Sequence, residues 1–102
     1  MSVTVFVPDL MDRSKVLAAV PDAVVVASVG QLAPEVGDVV VIDLSRPGAI
    51  AAVAPLVATG ARVIGFASHV DRDGLDAARA AGCAVYARSA FFSRLGELLS
   101  SS

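Results

Sequence analysis

The chain of 102 residues has no Trp, one Cys, one His and five aromatic side chains, one Tyr and four Phe. A lone cysteine excludes an internal disulfide and a cysteine metal cluster, so Cys83 reads as a small buried hydrophobe. Charge is also scarce: 8 basic and 10 acidic residues are scattered along the chain for a net charge of -2. Without a basic stripe there is no electrostatic footprint for nucleic acid. No apolar run approaches the roughly 18 residues of a membrane span. Met1 to Val7 meets Pro8 and Asp9 with no basic segment before it, unlike a secretory leader. We therefore expect a soluble, cytoplasmic protein in a reducing setting, bound to neither membrane nor nucleic acid. No Gly-x-Gly-x-x-Gly follows any strand, which sets aside dinucleotide binding.

What remains is rich in small aliphatics, 56% hydrophobic in all, enough for the core of one domain spanning 1–102. Five short runs stand out: Val3 to Val7, Ala23 to Val29, Val39 to Ile42, Arg62 to Phe66 and Ala84 to Ala87. They are apolar at successive positions, as in parallel strands covered on both faces. Helical spacing lies between most of them. A first helix runs from about Asp12 to Val20, where Pro21 stops it. Ile50, Val53, Ala54 and Val57 mark a second, ended by Gly60. Asp71 can cap a third, with Asp73 and Asp76 in its first turns, an inner stripe of Leu75, Ala78 and Ala81, and Gly82 as its stop. Phe92, Leu95, Leu98 and Leu99 line a last helix for which Ser89 is the cap.

Between the second and third runs, Gly30 to Gly37 leaves room for one helical turn at most, whereas a parallel crossover normally takes a dozen residues or more. With that exception the alternation predicts an α/β three-layer sandwich with right-handed crossovers. Asp43 ends the β-branched run Val39-Val40-Val41-Ile42 and is followed by Leu44-Ser45-Arg46-Pro47-Gly48, where Pro47 opens a helix. The carboxyl end of a parallel strand is where open α/β sheets hold their chemistry.

On these residues the chain resembles a response-regulator receiver domain over almost its full length. The resemblance implies a flavodoxin-like five-stranded parallel sheet of order 2-1-3-4-5, with the second helix reduced or absent. Asp43 would stand at the phosphoacceptor position. Asp9 would be one metal-binding carboxylate, with Pro8 in place of the other. The family's Thr or Ser after the fourth strand is Ala67 here, with Ser68 one step later. Ala81-Gly82-Cys83-Ala84-Val85-Tyr86 resembles the lead into the fifth strand and puts Tyr86 at the aromatic switch position. The Lys-Pro pair becomes Ser89-Ala90, with Arg88 before it and Phe91 after.

These losses bear on chemistry, because phosphoryl transfer to a carboxylate uses a divalent cation with hard oxygen ligands and a further cation such as lysine. Arg88 could replace the lysine only if the strand shifted by one residue, since adjacent strand side chains point to opposite faces. The first expectation is thus a degenerate receiver, not an enzyme and with no required cofactor. It would act by docking on a protein partner or by dimerising through the fourth helix, fifth strand and fifth helix of the receiver plan, a face carrying Arg72, Arg79, Tyr86, Arg88 and Arg94. Asp43 would then be a structural acceptor and Asp9 a helix cap. The alternative is a working receiver, phosphorylated on Asp43 with Mg²⁺ held by Asp9 and Asp43. A small hydrolase built on Ser45 or Ser68, His69 and Asp43 has no Gly-x-Ser-x-Gly elbow to support it. A STAS-like interaction domain, suggested by Val40 to Ser45, fits the five-strand alternation less well.

Overall fold

Valine at 39, 40 and 41 followed by Ile42 builds the centre of the molecule, where strand β3 (Val39–Asp43) is buried at every residue. Alternation splits that run between two cores. Val39 and Val41 join Val5, Val7, Ile64 and Phe66 on one face, while Val40 and Ile42 join Phe6 and Val63 on the other. The computed structural model describes residues 2–67 and 72–100. Around β3 stand β1 (Val3–Phe6), β2 (Val24–Val25), β4 (Arg62–Ala67) and β5 (Ala84–Ala87), all parallel and ordered β2-β1-β3-β4-β5. This is the expected flavodoxin-like sheet.

Helix α1 (Leu10–Ala19) and two short C-terminal helices, α4 (Arg88–Ser93) and α5 (Leu95–Ser100), supply Val16, Phe91, Leu95, Leu98 and Leu99 to the first core. Helices α2 (Ala49–Ala58) and α3 (Arg72–Ala80) cover the second face with Ala49, Val53, Leu56 and Ala78. Gly48 opens α2 in the left-handed region at φ 80°, a conformation that costs little only without a Cβ. Gly65 answers to a different constraint. A Cβ there would lie 2.6 Å from Leu44 Cδ1 and 3.0 Å from Cys83 Sγ, so β4 lies too close to the Leu44 and Cys83 side chains for any larger residue.

Several expectations change in detail. The second run pairs only at Val24–Val25, and its last residue starts a 3-10 helix over Val29–Gln31; Gln31 Oε1 accepts the Ala27 and Ser28 N–H groups, so side-chain bonds replace the ladder there. Helix α1 starts two residues earlier than the apolar spacing suggests, at Leu10, because Asp9 caps it. Ala54 is exposed and Leu56 takes the inner position of α2. Ser89 caps nothing: α4 begins at Arg88, immediately after β5, and leaves Ser89 exposed in its first turn. The helix is also broken at Arg94, and Phe91, not Phe92, is the fully buried ring. The Asp71 cap lies outside the described residues.

Cys83 is buried, and burial pushes its thiol from 9.0 up to about 11. A thiol held protonated is a poor nucleophile, so iodoacetamide at pH 8 should leave native protein unlabelled and label it fully in urea. The folded state keeps this proton more tightly than the unfolded chain. Its contribution to stability is therefore intact below pH 9 and declines as pH rises toward 11. A urea series across that window would show it.

Candidate functional site

Strands β1 and β3 are neighbours, in register with Phe6 opposite Ile42, while the chain enters β2 on one side and β4 on the other. Their carboxyl ends form the topological switch point of the sheet, the usual place for a ligand crevice. Three carboxylates meet there. A chamber of about 170 Å³ is lined by Asp9, Asp12 and Asp43, by Ser45, Arg46 and Arg88, and by the ring of Phe66.

Asp43 is buried, and its partners come from the loop that follows it. Its Oδ1 accepts the Ser45 N–H at 3.0 Å and the Ser45 hydroxyl at 2.6 Å. Its Oδ2 faces Arg46 Nε at 3.4 Å. The turn after β3 thus folds back on the carboxylate that ends the strand. Asp9 does the same for α1, its Oδ1 accepting the Asp12 N–H at 3.0 Å. That backbone bond, foremost, holds the Asp9 carboxyl below the usual carboxylate range, outweighing a smaller desolvation effect; the Met11 N–H and the Arg88 and Arg46 charges act in the same direction. A lowered folded-state value makes the cap fully charged at neutral pH, and its contribution fades only in acid.

Asp12 is the residue that sequence reasoning missed. It is buried on α1, and both of its oxygens face Arg88, whose Nε donates to Oδ2 at 3.2 Å while Nη2 donates to Oδ1. The partners are 76 residues apart. Strand alternation does not govern Arg88, because β5 ends at Ala87 and the chain turns helical there. Its guanidinium reaches the chamber from the start of α4 and lies 5.2 Å from the centre of the Phe92 ring. Spacing carried a signal for Asp12: Asp9 and Asp12 stand at i and i+3, which brings both carboxylates to the sheet end of α1.

The remaining candidates lie apart from this group. Tyr86 is half-buried against the first core, with the Arg94 guanidinium 5.9 Å from its ring centre. Ser89 is exposed on α4, while Ser68 and His69 lie outside the described residues. On the arginine face, Arg79 pairs with Asp76 at 3.1 Å and Arg94 with Glu97 at 3.2 Å. Arg88 has left that face for the chamber.

No family model and no curated protein matches the chain. A crystal structure of a response regulator from Thermotoga maritima aligns with a TM-score of 0.67 at 14% identity, covering 97% of this chain and 93% of that one. The fold is receiver-like. Likeness at that identity speaks for architecture alone, so the chemistry must be read from the chamber.

A receiver's divalent cation would want several free carboxylate oxygens on one side of the chamber. The residues present leave few such oxygens. Asp12 is engaged at both oxygens by Arg88, Asp43 takes two donors from Ser45 on one oxygen, and Asp9 takes the cap bond. Among the described residues no three His, Cys, Asp or Glu side chains converge as a metal-holding group. In a chamber arranged this way, two guanidinium groups already balance two of the three carboxylates.

Proposed function

We propose that this chain is a receiver-fold interaction module that acts by docking on a protein partner or by pairing with itself, without efficient phosphorylation of Asp43 and without an enzymatic step of its own. The Asp12–Arg88 pair carries this reading. It puts a fixed organic cation into the chamber where Asp9 and Asp43 would have to hold a divalent ion, while Ser45 and Arg46 engage the two Asp43 oxygens. Phosphoryl transfer depends on positioning and on cations at the transferring oxygens, and a guanidinium already committed to a buried carboxylate is poorly placed to supply that.

Incubation with acetyl phosphate and Mg²⁺, followed by intact-mass measurement, should add no phosphoryl group to the wild-type chain. A stable phosphoryl adduct that disappears in Asp43→Asn would instead establish a working receiver.

For docking, the face of α3, β5 and α4 offers Arg72 and Arg79 beside Asp73 and Asp76, with Tyr86 and Arg94 next to them. Arginines and aspartates side by side can form reciprocal pairs across a two-fold axis. Sedimentation from low to high micromolar concentration should show association that weakens with salt and in the Arg72→Glu/Arg79→Glu double variant. A chain that stays monomeric throughout is not self-pairing.

A further inference from the structure

We propose that a second cavity, beside the acidic chamber, is a binding site for a small organic acid with a compact apolar body. It lies between the β3–α2 loop and α3, measures about 330 Å³, and has Leu44, Pro47, Ile50, Ala67 and Leu75 in its walls. That volume is at the lower end of small-molecule pockets, which run from about 300 to 1,000 Å³. Leu44 follows β3 and Ala67 ends β4, so this cavity too opens at the carboxyl ends of the strands, where sheets of this kind take ligands.

Charge decides the ligand class. Arg46 is the only charged side chain in the lining among the described residues. It is 42% exposed and touches Asp43 only through Nε at 3.4 Å; among the described residues no hydrogen bond engages its two terminal nitrogens. A guanidinium with its outer edge open suits a carboxylate, which can meet two N–H groups at once. An organic cation would be repelled there, and a neutral apolar molecule would gain nothing from Arg46. The three carboxylates belong to the adjoining chamber, which shares Ser45 and Arg46 with this cavity, and all three already have their own donors. The inference is independent of whether Asp43 accepts a phosphoryl group, so the two readings can fail separately.

The test is a titration of isotope-labelled protein with octanoate, 4-phenylbutyrate and octanamide, followed by amide chemical shifts. Saturable shifts at Leu44, Ile50, Ala67 and Leu75 are expected for both acids. Octanamide should bind roughly tenfold more weakly, the weight of one charge-assisted contact. Arg46→Met should bring the acids down to the level of the amide. Leu75→Trp should fill the cavity and abolish shifts from all three while leaving the spectrum elsewhere in place. Equal binding of octanoate and octanamide would mark the cavity as an anchor slot for a partner's apolar side chain and overturn the proposal. Shifts scattered over the surface, or none at millimolar ligand, would overturn it as well. If Leu75→Trp fails to fold, the acid-to-amide ratio in wild type and Arg46→Met decides alone.

Discussion

Phe91→Ala should lower the free energy of unfolding by about 3–5 kcal/mol, the range for removing a fully buried aromatic ring. Phe91 is completely buried and stacks on Phe66 with ring centres 4.7 Å apart and planes 18° from parallel. Phe92 meets both rings edge-on, at 5.0 Å from Phe91 and 5.2 Å from Phe66. In a chain with so few aromatics this trio anchors α4 to the sheet. Losing its central ring leaves a cavity that the short helix can fill only by moving, and Arg88 would move with it. Urea denaturation should show a midpoint lower by roughly 2 M with little change in slope. Phe91→Leu, which keeps most of the volume, should recover more than half of the loss. A cost below about 1 kcal/mol for the alanine variant would mean that the site had collapsed without strain, and that the aromatic stack does not hold α4.

Arg88→Met should cost about 2–3 kcal/mol, somewhat below the roughly 3–5 kcal/mol of breaking a wholly buried pair, because the guanidinium is partly open to water. The Asp12 side chain is 6% exposed and that of Arg88 40%. Removing the arginine strands a charged carboxylate in a place water barely reaches, whereas Asp12→Asn leaves a half-exposed guanidinium that water can solvate. The two single variants should therefore be unequal, with Asp12→Asn the milder. The double variant should lose clearly less than the sum of the two single losses, with a coupling on the order of 1–2 kcal/mol. Additive losses would show that the pair is an accident of proximity rather than a structural bond.

Much of the architecture is legible in the residues themselves. The apolar runs at Val39 to Ile42 and Arg62 to Phe66 can only be satisfied between two apolar layers, and the connection between them is long enough for a helix. Asp43 at the end of such a run declares a carboxyl-end site. What escapes the sequence depends on single-residue boundaries and on long-range geometry. Ala23 to Val29 has the composition of a strand, but at a sheet edge only the residues that find a partner, Val24 and Val25, stay extended. The last helix begins at Arg88, one residue before Ser89, and one residue on a helix turns a side chain by about 100°. That shift exchanges Phe92 for Phe91 as the buried ring and carries Arg88 out of the strand pattern that seemed to exclude it. Asp12 reads locally as an ordinary first-turn acid on a helix. Its partner lies 76 residues downstream, and no local pattern records such a contact.

That separation has a consequence for time rather than for strength. A contact that bridges most of the chain can close only after β5 has joined the sheet and α4 has wound, since the loop between the partners is costly to close in advance. Interactions made late in folding slow the reverse reaction and leave the forward one almost untouched. The Asp12–Arg88 clasp should therefore govern how long each folded molecule lasts. In stopped-flow experiments Arg88→Met would unfold many times faster than wild type while refolding at nearly the same rate.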